Sequence, residues 1–97
     1  MNLLYRLQGS EFEWDSHKAD RNLVKHGISF HEAAEVFFDP FYVSGDASHD
    51  HEAREFILGY SLSQRMLLVV YTERGIRNRI ISARPATRRE RRMYDSG

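Results

Sequence analysis

The spacing of apolar residues changes period several times along the chain, and each change marks an element. Residues 12–15, Phe-Glu-Trp-Asp, alternate aromatic with acidic side chains, the period-2 pattern of a half-buried strand. From Ser16 the spacing turns helical: Ala19, Leu23 and Val24 recur up to His26, with Asp15 at an N-cap position and Gly27 at a left-handed C-cap. Ser29 and Glu32 carry a capping-box pattern, and Phe30, Ala33, Ala34 and Phe37 mark the buried face of a second helix. That helix must stop at Asp39, because Pro40 disfavours helical dihedrals in the residue before it. Strands are predicted weakly at 41–46 and more firmly at 56–61 and 66–72, the last apolar on both faces and therefore central. A turn at 73–75 returns the chain as a hairpin partner over 76–83. Thr87 and Glu90 form a second capping box that opens a final helix. The predicted order is strand, helix, helix, three or four antiparallel strands, helix.

Composition narrows this picture without redirecting it. Ninety-seven residues make one domain, since two halves would each be too small to bury a core. The opening Met-Asn-Leu-Leu-Tyr-Arg-Leu-Gln-Gly-Ser reads as an N-terminal extension, residues 1–10, or a frayed strand; it lacks the apolar run of a signal peptide. No stretch is long and apolar enough to span a bilayer, and there is no cysteine, so a cytoplasmic protein without membrane contact or disulfides is expected.

Charge changes the picture more. The chain is neutral overall, yet residues 1–64 hold 5 basic against 11 acidic side chains and residues 65–97 hold 9 against 3. All nine are arginines, whose planar fork suits phosphate. Strict alternation along 76–83 puts Arg77 and Arg79 on one face of a strand and Arg84 on the other. Two arginines that close repel unless an anion or an acid such as Glu73 lies between them. Arg65 and Arg74 lie in turns on either side of the central strand, and Arg88, Arg89, Arg91 and Arg92 crowd the last helix. Together they suggest a basic surface for a single-stranded nucleic acid, with Tyr94 available for stacking. The alternatives are a solvated basic helix or an adaptor whose acidic half recruits a basic protein. His49-Asp50-His51-Glu52 sits in a polar loop without the frame of a metal site, so neither metal nor cofactor is expected.

Two blocks, Phe-Glu-Trp-Asp-Ser-His-Lys through Lys-His-Gly and Ile-Ser-Ala-Arg-Pro-Ala-Thr through Met-Tyr, are similar to the opening and close of the BrnT family over nearly all of residues 11–97. BrnT proteins are the toxin halves of BrnT–BrnA type II toxin–antitoxin systems. The resemblance implies an α+β, RelE-like fold with two N-terminal helices packed on a small antiparallel sheet and a C-terminal helix. It also implies an endoribonuclease that inhibits translation until a BrnA-like antitoxin neutralises it. That antitoxin carries a DNA-binding domain, and the hetero-oligomer represses its own promoter. If RNA is cleaved without metal, the 2′-hydroxyl attacks the adjacent phosphorus, and one well-placed donor to the developing charge is worth ~3–4 kcal/mol. Arg77, Arg79 and Arg84 are the candidates for that role, with Arg65, Arg74, Arg88, Arg89, Arg91 and Arg92 binding RNA. Glu73 and Tyr94 are the candidate proton acceptors. A non-catalytic nucleic-acid-binding module is the alternative, because it calls for the same arginines.

Overall fold

The computed structural model describes residues 1–96. The chain starts with a hairpin: β1 (Asn2–Leu7) and β2 (Ser10–Asp15) pair antiparallel around Gln8 and Gly9, both at positive φ (50° and 82°). Such a two-residue turn matches the twist of the strands it joins. α1 (Ser16–His26) follows directly, capped by the Asp15 carboxylate, which accepts from Lys18 N at 3.0 Å, and closed by Gly27 at φ 69°. α2 (Phe30–Glu35) starts at Ser29, whose Oγ accepts from Glu32 N, and tightens into a 3-10 turn over Val36–Phe38 ahead of Pro40. Then come β3 (Val43–Asp46), β4 (Glu55–Tyr60), β5 (Met66–Arg74), β6 (Arg77–Pro85) and α3 (Arg88–Ser96).

The six strands form one mixed sheet in the order β1-β2-β6-β5-β4-β3, antiparallel throughout apart from the parallel pair β2–β6. This corrects the expected arrangement of two N-terminal helices on a small antiparallel sheet. The helices come after two strands, and the chain beyond α2 contributes only four strands of the six. The reason is apolar alternation before residue 11: Leu3, Tyr5 and Leu7 lie opposite or beside Trp14 and Phe12 and pack on the core, where Phe12 and Trp14 are fully buried. A free β2 would leave those rings without a neighbouring strand, and β6 supplies its other edge.

α1 and α2 cover one face of the sheet, over a core of Phe12, Trp14, Ile28, Phe30, Val36, Leu67, Val69 and Ile80. Asn22, buried in α1, donates to Ile28 O (3.0 Å) and Ala83 O (2.8 Å) and accepts from Ala83 N (3.1 Å), so it pins the helix to β6. The other face is open except where α3 meets β4, beside the buried Leu58 and Met66. Among the described residues no helix is long and apolar enough to cross a membrane.

Candidate active site

A bulge in β6 decides which side chains meet. Val70 pairs with Ser82 but Tyr71 pairs with Ile80, leaving Ile81 as an extra residue. Strict alternation puts Arg84 opposite to Arg77 and Arg79. The bulge shifts the phase by one, so Arg77 (facing Arg74), Arg79 (facing Thr72) and Arg84 (facing Leu68) all stand on the open face. About 15 Å of strand separates Arg79 from Arg84.

On that face the arginines are held by carboxylates the sequence reading did not anticipate. The parallel register sets Glu11 beside Arg77 and Glu13 beside Arg79. Arg77 Nε donates to Glu11 at 3.0 Å, and Arg79 Nη1 donates to Glu13 at 2.6 Å and to Asn2 Oδ1 at 3.0 Å. Arg74 lies 3.9 Å from Glu13, and Arg6 donates to Glu11 at 3.1 Å. Arg6 and Arg77 hold the Glu11 carboxyl below its ordinary range. Four arginines thus share two glutamates and leave a positive surplus. Beside them a cleft of about 290 Å³ is lined by Leu4, Tyr5, Arg6, Glu11, Phe12 and Arg77.

At the other end of β6, Arg84 grips Glu90 through two bonds of 2.8 Å. Glu90 also accepts from Thr87 N at 2.9 Å and donates its own N–H to Thr87 Oγ1 at 3.2 Å, the reciprocal cap that opens α3. Arg84 first, then the Thr87 amide, lowers the Glu90 pKa to about 2 against the cost of burial. Arg88, Arg89, Arg91 and Arg92 make no ion pair among the described residues; Arg88, Arg89, Arg91 and Arg92 are all exposed.

Three predicted residues stand elsewhere or in a different state. Arg65 is on the helix side, where its guanidinium is spent on Glu32 and on Gly27 O at 3.2 Å. Glu73 pairs with Asn78 and alternates onto the face of Tyr71, whose hydroxyl it influences, away from Arg77 and Arg79. Tyr94 donates its hydroxyl to Asp39 at 2.8 Å, and burial together with that carboxylate pushes its pKa up to about 12, a poor state for a base at neutral pH. Burial works to raise the Asp39 pKa, but the bonds from Tyr60 N, Phe41 N and Tyr94 outweigh it and hold it low.

Sequence reasoning missed Glu11, Glu13, Asn22 and Asp39. A signal existed for the first two, since Glu-x-Glu at 11–13 complements Arg-x-Arg at 77–79 in spacing and sign. Among the described residues no group of three or more His, Asp or Glu side chains converges in a way that holds a metal; the His49 ring lies 3.1 Å from the Asp50 carboxylate.

No curated protein matches the sequence. Among solved structures, the crystal structure of the Brucella abortus ribonuclease toxin BrnT is similar, with a TM-score of 0.58 at 20% identity, over 77% of this chain and 94% of that one. At that identity the likeness concerns the fold. The family model described as ribonuclease toxin, BrnT, of type II toxin–antitoxin system matches residues 14–90, which run from the end of β2 to the Glu90 that clasps Arg84. By that match the chain belongs to the BrnT ribonuclease toxins of type II toxin–antitoxin systems.

Proposed function

We propose that the chain is a metal-independent endoribonuclease whose substrate strand lies across the open face of the sheet. The observation that supports this most is the sharing of one face by Arg77, Arg79 and Arg84, each already oriented by a carboxylate. The ribose 2′-oxygen attacks the adjacent phosphorus, the bond from phosphorus to the 5′-oxygen breaks, and the 5′-oxygen takes a proton from solvent water, so that the products are a 2′,3′-cyclic phosphate and a 5′-hydroxyl. Arg77 and Arg79, with Arg74 beside them, stabilise the charge that grows on the phosphoryl oxygens. Glu13 stands between Arg79 and Arg74 and accepts the 2′-proton, a role that neither Glu73 nor Tyr94 is placed to fill. Arg84 and the α3 arginines Arg88, Arg89, Arg91 and Arg92 hold flanking phosphates. Arg65, committed to Glu32 on the other face, positions the α1–α2 turn rather than RNA.

A type II system implies an antitoxin. In this reading the partner is BrnA-like: it carries a DNA-binding domain, covers the arginine face, and joins the toxin in a complex that binds its own promoter. Released toxin cuts RNA and arrests translation. Purified toxin incubated with RNA in excess chelator is expected to leave cyclic phosphate ends, and Arg79→Ala is expected to lose about 10²–10³ in cleavage rate while still binding RNA. RNA bound by the wild type without new ends would instead mark a non-catalytic binding module.

A further inference from the structure

Beyond the strand arginines, one aromatic cleft of the fold is unused. Phe41 is 76% exposed and Tyr42 47%, and with Tyr94 and Asp95 they line a cleft of about 480 Å³ at the C-terminal end of α3. A single exposed aromatic is ordinary on a protein surface; three lining one cavity of ligand size are not. The wall is stiff. Asp39 Oδ1 accepts from Phe41 N at 2.9 Å, Asp39 O accepts from Tyr42 N at 3.2 Å, and the second carboxylate oxygen holds Tyr60 N and Tyr94. Tyr94 is further fixed edge-on against Tyr60, with ring centroids 5.3 Å apart.

We propose that this cleft is a subsite for an unpaired guanine of the substrate RNA, an assignment that rests on the ribonuclease reading above. Charge favours RNA over a protein segment as occupant. Arg91 and Arg92 lie one helical turn before Asp95 on α3, so cations neighbour the Asp95 wall of the cleft, and a polynucleotide presents the same alternation of anionic and flat apolar groups. An acidic antitoxin segment lying in the cleft would meet the Asp95 carboxylate. The same carboxylate selects the base. An ionised carboxylate only accepts hydrogen bonds, and its two oxygens match two adjacent N–H donors. Guanine is the one RNA base whose pairing edge carries two neighbouring donors, N1–H and the 2-amino group.

The test uses short 2′-O-methyl oligonucleotides, which cannot be cut, holding guanine, inosine or adenine at one position, with affinity read by fluorescence anisotropy. Wild type is expected to prefer guanine to inosine by about tenfold, since inosine lacks the 2-amino donor. Phe41→Ala weakens every oligonucleotide by about tenfold and Phe41→Trp restores binding. Asp95→Asn erases the difference between guanine and inosine. Equal affinities for the three bases, or no effect of Phe41→Ala, would overturn the subsite. So would a Phe41→Ala toxin that binds RNA normally but escapes its antitoxin, which would make the cleft a protein docking site. Guanine-selective binding by a wild type that never cuts ordinary RNA would sink the nuclease reading and leave the subsite standing.

Discussion

At Glu32 a single carboxylate joins two distant parts of the chain. Its Oε2 accepts from Ser61 (2.7 Å), Ser63 (2.8 Å) and Arg65 Nε (2.9 Å), all from the β4–β5 turn, and the Arg65 bond in particular lowers its pKa from 4.5 to about 2. A pKa depressed in the folded state means stability that is complete above the unfolded value near 4.5 and drains away as pH falls towards 2. Glu32→Gln is therefore expected to lower stability at neutral pH by on the order of 1–2 kcal/mol, allowing for a half-exposed arginine partner. Urea unfolding midpoints across pH check this: the gap between variant and wild type should close between pH 4.5 and about 2. A gap of constant size over that range would show that the carboxylate charge contributes nothing. From the sequence, Glu32 reads as half of a local capping box. Ser29 does cap the helix, but the Glu32 side chain turns to a partner more than 30 positions away, and no local pattern encodes that. Asn22 was hidden in the same way, as a polar residue in an amphipathic helix whose partners lie at Ala83.

Among the elements, α3 is attached least firmly. It buries no residue, and it is held by the Arg84–Glu90 clasp, by Ala86 N on Met66 O at 2.9 Å, and by Tyr94 on Asp39. A hydrogen bond to a charged acceptor is worth ~1.5–3 kcal/mol, so Tyr94→Phe should loosen the last turns of α3 far more than the core. Hydrogen exchange of the amides of residues 91–95 is expected to speed up by about tenfold, with the thermal midpoint of the whole domain nearly unchanged. Unaltered exchange there would mean that the clasp alone holds the helix. The helices were the legible elements, because caps and 3.6-residue periodicity are local: α1 runs over Ser16–His26 as the spacing dictates, and Thr87 and Glu90 cap α3 reciprocally. The strand β1 was not legible. Gln8-Gly9 is a weak hairpin signal, and only Trp14 and Phe12 on its partner give the alternation of Leu3, Tyr5 and Leu7 a meaning.

Across the whole molecule, the acidic half and the arginine half of the chain lie side by side in the pairing of β2 with β6. The uneven charge distribution along the sequence pointed to an anionic partner outside the protein, and part of the answer is internal: Glu11 and Glu13 face Arg77 and Arg79 across a parallel register that no hairpin rule suggests. The bulge at Ile81, equally invisible to strict alternation, adds Arg84 to the same face. This arrangement makes the carboxylates competitors of RNA as well as scaffolds for the arginines. Replacing Glu13, only 6% exposed, by glutamine keeps its shape and a hydrogen-bond acceptor while freeing Arg79 and Arg74 for phosphate. One added phosphate contact steepens the salt dependence of single-strand binding by a slope of about 0.7. Glu13→Gln is therefore expected to bind an uncleavable RNA several-fold more tightly at low salt, to lose that advantage as salt rises, and to cleave at least tenfold more slowly if Glu13 takes the 2′-proton. Binding titrations over a salt series and single-turnover cleavage separate the two effects. Tighter binding with undiminished cleavage would remove Glu13 from the chemistry and leave it as the brace of Arg79, whereas weaker binding would show that the guanidinium needs its carboxylate to face the substrate at all.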